Sequence, residues 1–263
     1  MSLKDKIIAF DIDGTLARYN TLPSQYSYEI LRKLNNQGYK ITFITGRAII
    51  SSINIYREAN SNIPYVCCNG SLLFDPISNK KIIEHNIPLE MVYEIIDNQE
   101  IMENVEDMLA EYDFISYSLN GTIFTNATYK GNFKDTIKNN PSTLVIYAKS
   151  YETQLKIKEI IDKMDYDFKY RIWYYQAELY NIHCDKVKGC KDLLDYLHKD
   201  FDDLVYFGDA TPDKDLIIKA GIGIAMKNAP DEVKQVADYI TDYNNEEDGA
   251  IKFLEKLIEL ENE

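Results

Sequence analysis

Residues 6–10, Lys-Ile-Ile-Ala-Phe, form an almost unbroken apolar run that suits a strand buried on both faces, and carboxylates follow at once. This predicts a strand that delivers Asp11 at its carboxyl end. Over residues 27–37, Tyr28, Ile30, Leu31 and Leu34 recur at helical intervals, with Gly38 as the C-cap. Residues 41–44 read as a second buried strand, broken by Thr45-Gly46-Arg47; a helix from about Ala48 and a short strand over 65–68 continue the alternation up to the Asn69-Gly70 turn. The same grammar resumes with a helical pattern over 189–198, a buried strand over 204–207, a helix over 216–220 and a strand over 223–225. Strand and helix in strict alternation predict an α/β class, a doubly wound parallel sheet.

Between these halves the period changes. Residues 84–182 carry helical patterns over 89–97 and 151–164 among strand-like stretches at 114–118, 122–125, 144–147 and 171–175, with a turn at Asn120-Gly121. The expected organisation is a core from residues 1–83 and 183–263, interrupted by an α+β insert over 84–182. Such an insert belongs in a loop beyond the strand ends, where binding sites also lie.

Composition narrows the function classes. At 45% hydrophobic and 27% charged, the 263 residues exclude fibrous and disordered readings. A net charge of -14 argues against a broad cationic face for nucleic acid or anionic lipid. The four cysteines have no zinc or CxxC spacing, and the first residues lead into a strand rather than a signal-peptide core; both suit a reduced, cytoplasmic protein without a membrane span. His85, His183 and His198 lack metal-ligand spacing. Gly221-Ile222-Gly223 has Met226 where a dinucleotide loop needs its third glycine, so a helix C-cap explains it.

The sharpest candidate chemistry is Asp11-Ile12-Asp13-Gly14-Thr15. Alternate residues leaving a strand direct two carboxylates toward one site, and Gly14 allows a tight turn. A hard divalent cation such as Mg²⁺ suits such oxygen donors. Asp209 and Asp213 follow the 204–207 strand, giving Asp209 the same strand-end geometry as Asp11. Thr45 and Gly46 lie at a strand end before a helix, as a phosphate contact or a helix N-cap; Arg47 pairs with a phosphate or an acidic neighbour. Asn69 is a polar contact or a turn residue. Lys186 and Lys188 both open a helix from which an ammonium can neutralise a phosphoryl group.

The order of Asp11-x-Asp13-Gly14-Thr15, Thr45-Gly46-Arg47, Lys188-Gly189 and Gly208-Asp209 resembles the haloacid dehalogenase-like hydrolases. More narrowly it is similar to the Cof-type phosphatases, whose large type IIB cap sits between the second and third motifs. Asn69-Gly70-Ser71, the stretch 220–229 and the tail from Ala237-Asp238 to Asp248-Gly249 support the match over essentially the whole chain. The resemblance implies a Rossmann-like core and phosphoryl transfer from a small phosphorylated metabolite, a sugar or cofactor phosphate. Asp11 would be the nucleophile, Asp13 the acid and base, and Thr45 and Lys188 the phosphate holders, with Gly14, Gly46, Arg47 and Asn69 nearby. Mg²⁺ would be held by Asp11, the Asp13 backbone carbonyl and Asp209, with Asp213 ordering the site. Lys188 is preferred over Lys186 because Lys-Gly opens the post-cap helix in the family pattern.

One departure stands out. Pro212 precedes Asp213 where the family commonly has Asn, removing a side-chain amide and a backbone donor. Two other classes fit part of the pattern: a phosphomutase similar to phosphomannomutase, and a phosphorelay or weakly catalytic phosphate-binding module. The large insert between Thr45 and Lys188 argues against a phosphorelay receiver. Oligomeric state is not encoded in any of these patterns.

Overall fold

The computed structural model describes residues 2–262. The chain divides into two compact units, one comprising Met1–Arg47, Ser51–Ile83 and Asp185–Glu263, the other Ala48–Ile50 and Glu84–Cys184. Among the described residues no helix is long and apolar enough to cross a membrane. The four cysteines are buried and not joined in disulfides.

The first unit is built on a five-stranded parallel sheet in the order Tyr239–Ile240, Ile222–Ala225, Leu204–Gly208, Ile7–Phe10, Lys40–Phe43. Ile7–Phe10 is buried at every position, as its unbroken apolar run requires of a central parallel strand. Ile7, Ile8 and Phe10 have almost no exposed surface, and each such side chain contributes about 1.5–3 kcal/mol of burial free energy. Phe10 stacks on Phe207 of the neighbouring strand, ring centroids 4.6 Å apart. The helices Gln25–Asn36, Ile49–Glu58, Lys186–Tyr196 and Lys214–Lys219 fall within a few residues of their expected positions. A hairpin-like addition, Leu72–Asp75 pairing antiparallel with Tyr65–Cys67 and followed by Lys80–Glu84, has no counterpart in the expected pattern.

The second unit is a six-stranded sheet in the order Phe168–Trp173, Gln176–Asn181, Thr143–Ala148, Val105–Tyr112, Ile115–Ser118, Tyr129–Lys130. Met108, Ala110, Leu144, Ile146 and Leu179 from the sheet form one buried cluster with Met91, Ile95, Ile101, Phe133, Ile157 and Ile161 from its helices. Residues 122–125 are not a strand. Asp107, fully buried, accepts hydrogen bonds from the backbone N–H groups of Asn120, Thr122, Ile123 and Phe124, so these donors serve a carboxylate instead of a ladder. Burial opposes its charge, but these N–H groups and the Ser118 hydroxyl outweigh it and hold the Asp107 carboxyl below its ordinary range.

Candidate active site

The site grows from the sheet order. Ile7–Phe10 lies between Leu204–Gly208 and Lys40–Phe43, so the strand that follows it in the chain pairs on one side and the later strands build on the other, and an open α/β sheet forms its crevice at the carboxyl edge of such a switch. The Asp11 N–H donates to the Phe207 carbonyl at 2.9 Å, extending the ladder by one bond and aligning Asp11 with the strand end that carries Asp209. Gly14 turns the chain with φ +82°, and a Cβ there would lie 2.1 Å from Asp209 Oδ2. Only glycine tolerates both that backbone and that approach. The Thr15 hydroxyl then donates to Asp209 Oδ1 at 3.0 Å.

Lys186 Nζ lies 2.8 Å from Asp11 Oδ1 and 2.7 Å from Asp213 Oδ1, with its side chain only 6% exposed. The expectation that Lys188 occupies this place is corrected by helical phase. Lys186, Gly189, Cys190 and Leu193 recur at three- and four-residue steps and are buried together on one face of Lys186–Tyr196. Lys188 sits two residues on, on another face, where it pairs with Asp192 one turn later and its side chain is 43% exposed. Close packing fixes the helix: a Cβ on Gly189 would lie 2.5 Å from Val66 Cγ1 and 2.7 Å from Gly70 Cα. The apolar positions Cys190, Leu193, Leu194 and Leu197 carried this phase in the sequence.

Asp213, fully buried, spends both oxygens on order. Oδ1 accepts from Lys186 and from the Tyr206 hydroxyl at 2.5 Å, while Oδ2 accepts from the backbone N–H groups of Asp209 and Ala210 at 3.2 and 3.0 Å. Pro212 fits because Thr211–Asp213 is a single 3-10 turn with proline in its first positions, where a backbone donor is dispensable. The Thr211 hydroxyl donates to Glu232 at 2.8 Å.

Asp11, Asp209 and Asp213 each offer a carboxylate oxygen, all within 4.8 Å of one another. Burial, with the Asp213 and Asp209 charges behind it, pushes Asp11 up to about 8 against the pull of Lys186. Burial and Asp213 push Asp209 up to about 7 against the Thr15 hydroxyl and Lys186. For Lys186, burial alone would lower the pKa, but Asp11 and Asp213 outweigh it and raise it. An all-oxygen donor set short of positive charge fits a hard divalent cation such as Mg²⁺.

A pH dependence follows. Asp11 and Asp209, at about 8 and 7, keep protons in the folded protein that the unfolded chain releases near its ordinary carboxylate value of about 4. Their stabilisation is complete below that lower value and is lost as pH climbs through 7 and 8. Metal-free protein should therefore melt lower at pH 8 than at pH 6, and Mg²⁺ should raise Tm more at pH 8. Thermal melts with Mg²⁺ or chelator test this; equal Mg²⁺ shifts at both pH values would detach these carboxyls from the ion.

Arg47 takes the acidic-neighbour alternative: Nε and Nη2 donate to the two Asp13 oxygens at 2.7 Å each, and Nη2 also donates to the Thr21 carbonyl at 2.8 Å. The Asn20 N–H adds a bond to Asp13 Oδ1 at 2.8 Å. Thr45 is buried, with its N–H donating to the Val66 carbonyl and its hydroxyl oxygen accepting from the Arg47 N–H at 3.1 Å. Asn69, left-handed at φ 51°, donates its N–H to the Thr45 carbonyl at 3.2 Å, and a Cβ on Gly46 would lie 3.0 Å from its Oδ1. Thr45, Gly46 and Asn69 thus form one packed corner.

The fold and site define a doubly wound α/β core with an acid–lysine cluster at the carboxyl edge of its parallel sheet. A family model for haloacid dehalogenase-like hydrolases matches residues 8–254. The 5-amino-6-(5-phospho-D-ribitylamino)uracil phosphatase YitU of Bacillus subtilis (strain 168) is 26% identical over 275 residues, spanning 99% of this chain and 100% of the relative. A haloacid dehalogenase-like hydrolase from Bacteroides thetaiotaomicron superposes with TM-score 0.87 at 23% identity, covering 96% of this chain and 99% of that one. A subclass IIB sugar phosphatase of the same superfamily superposes with TM-score 0.76 at 23% identity, covering 96% and 98%. The chain belongs to the haloacid dehalogenase-like hydrolases, and within them to the Cof-type phosphoric monoester hydrolases. Its α+β insert shares its fold with that subclass IIB phosphatase.

Proposed function

We propose that this enzyme is a Mg²⁺-dependent phosphatase that hydrolyses a small organic phosphate monoester, a sugar or cofactor phosphate, through an aspartyl-phosphate. The observation that carries the reading is the buried Asp11 carboxylate, 2.8 Å from Lys186 and within 4.8 Å of the Asp209 and Asp213 oxygens. The substrate class draws support from the relative that acts on a phosphorylated ribitylaminouracil and from the sugar phosphatase.

In the first half-reaction an Asp11 oxygen bonds to phosphorus as the bond to the leaving oxygen breaks, and Asp13 gives that oxygen its proton. In the second, Asp13, now a carboxylate, takes a proton from water while the water oxygen bonds to phosphorus. The Asp11–phosphorus bond breaks, inorganic phosphate leaves, and both carboxyls return to their starting states. Lys186 replaces Lys188 as the ammonium that offsets the phosphate charge, and Thr45 and Gly46 supply hydroxyl and backbone contacts to its oxygens. Asp11, Asp209 and the Asp13 carbonyl would hold Mg²⁺, with Asp213 ordering the site, and the ion would supply positive charge against a phosphate dianion that the carboxylates otherwise repel.

Phosphate release from p-nitrophenyl phosphate and a panel of sugar and cofactor phosphates, with Mg²⁺ or chelator, tests the reading. Metal-dependent release from at least one ester is expected. Phosphoryl transfer between hydroxyls without phosphate release would establish a mutase instead, and a long-lived phosphoprotein charged by a phosphohistidine donor would establish a relay.

A further inference from the structure

The turn that carries Asp13 is held from outside by two asparagines that the reaction above leaves unused. Asn228 follows the strand Ile222–Ala225, and its Nδ2 donates to the Gly14 carbonyl at 2.8 Å. Its Oδ1 accepts from the Asn245 backbone N–H at 3.1 Å. The Gly14 carbonyl can only accept and the Asn245 N–H can only donate, so both ends of the Asn228 amide are specified. Asn245 in turn donates from Nδ2 to the Ala17 carbonyl at 3.2 Å, the same carbonyl that closes the turn by accepting from Gly14 N–H at 2.8 Å.

The asparagines are themselves anchored. Lys227 N–H donates to the buried Thr241 hydroxyl at 2.9 Å, Arg18 pairs with Glu246 at 2.9 Å, and Asp248 accepts from Ser27 Oγ at 2.8 Å. The segment around 241–248 is thereby fastened to the loop that follows Asp13. What the clamp fixes is the Gly14–Thr15 peptide, with Asp13 on one side and the Thr15–Asp209 bond on the other.

We propose that Asn228, braced by Asn245, is a positioning residue for Asp13: by fixing the Gly14 carbonyl it holds the Asp13–Thr15 turn where the Asp13 carboxyl can protonate a leaving oxygen. Proton transfer needs hydrogen-bond reach, and a misplacement of about 1 Å costs up to roughly a hundredfold in rate. The inference rests on the reading of Asp13 as the acid, and leaving-group dependence separates the two. An aryl phosphate departs without a proton; an alkyl phosphate does not.

The test measures kcat and KM for Asn228→Ala, Asn245→Ala and Asp13→Ala on p-nitrophenyl phosphate and on the best alkyl ester of the panel. Circular dichroism and Mg²⁺ titration accompany each variant. Asn228→Ala should lose about tenfold to a hundredfold in kcat on the alkyl ester and much less on the aryl ester, with KM and half-saturating Mg²⁺ unchanged. Asp13→Ala should discriminate in the same sense and more strongly. Equal losses on both esters, a loss that added Mg²⁺ restores, or an unchanged alkyl rate overturns the role of Asn228 while Asp13→Ala keeps its discrimination. An Asp13→Ala enzyme indifferent to leaving group overturns the acid assignment and the proposal with it. If Asn228→Ala does not fold, Asn245→Ala, which removes only the bond to Ala17, must show the same discrimination in weaker form, and its absence overturns the proposal.

Discussion

Asp11→Asn leaves a folded protein whose turnover has fallen by on the order of 10⁴-fold or more, since a neutral amide cannot form the acyl phosphate. The substitution is isosteric at a buried strand end whose backbone N–H is already committed to Phe207, so the sheet loses nothing. Lys186 keeps its 2.7 Å partner in Asp213 after the change. One negative charge also leaves a cluster that pushes the Asp11 carboxyl up to about 8, so metal-free melting at alkaline pH should be unchanged or higher. Single-turnover phosphate release and thermal melting, read together, distinguish loss of the nucleophile from loss of the fold. Wild-type turnover in this variant would end the covalent mechanism.

Lys186→Met and Lys188→Met should differ sharply although the residues stand two apart. The first removes an ammonium, 6% exposed, that contacts both Asp11 and Asp213, leaving buried acids without their partner. Breaking such a pair costs about 3–5 kcal/mol, and loss of a charge-stabilising donor costs about 10²–10³ in kcat. The second removes a partly exposed lysine that pairs with the buried Asp192 one turn away and touches neither Asp11 nor Asp213, so it should lower stability less than the first and leave kcat near wild type. Denaturant unfolding and steady-state rates of the two variants decide the assignment. A defect in Lys188→Met with a normal Lys186→Met would restore the motif-based choice.

Two lysines two residues apart cannot both face the sheet edge. Lys-Gly as a family pattern favoured Lys188, while the apolar phase of Cys190, Leu193, Leu194 and Leu197 put Lys186 on the inner face. The phase was legible and physically stronger, because a helix aims residues by their spacing and not by their neighbours in a motif. In the insert, the strand Val105–Tyr112 is hard to read from sequence because Glu106, Asp107 and Glu111 interrupt its apolar pattern and a bulge near Val105/Asp107 shifts its register. Residues 122–125 had strand-like composition, but the buried Asp107 carboxylate claimed their backbone donors.

What the amino-acid sequence determined by itself was everything set by local spacing. The uninterrupted apolar runs define parallel strands, and Asp11 and Asp209 follow directly from where those runs stop. The interruption of the core by an α+β insert is visible as a change of period. Tertiary structure alone decided which side chains meet: Arg47 with Asp13, Lys186 between Asp11 and Asp213, and Asn228 on a Gly14 carbonyl 214 residues away. The reason is that spacing along the chain sets only which face a residue occupies. Which faces oppose one another depends on sheet order and helix packing, and those are properties of the whole core.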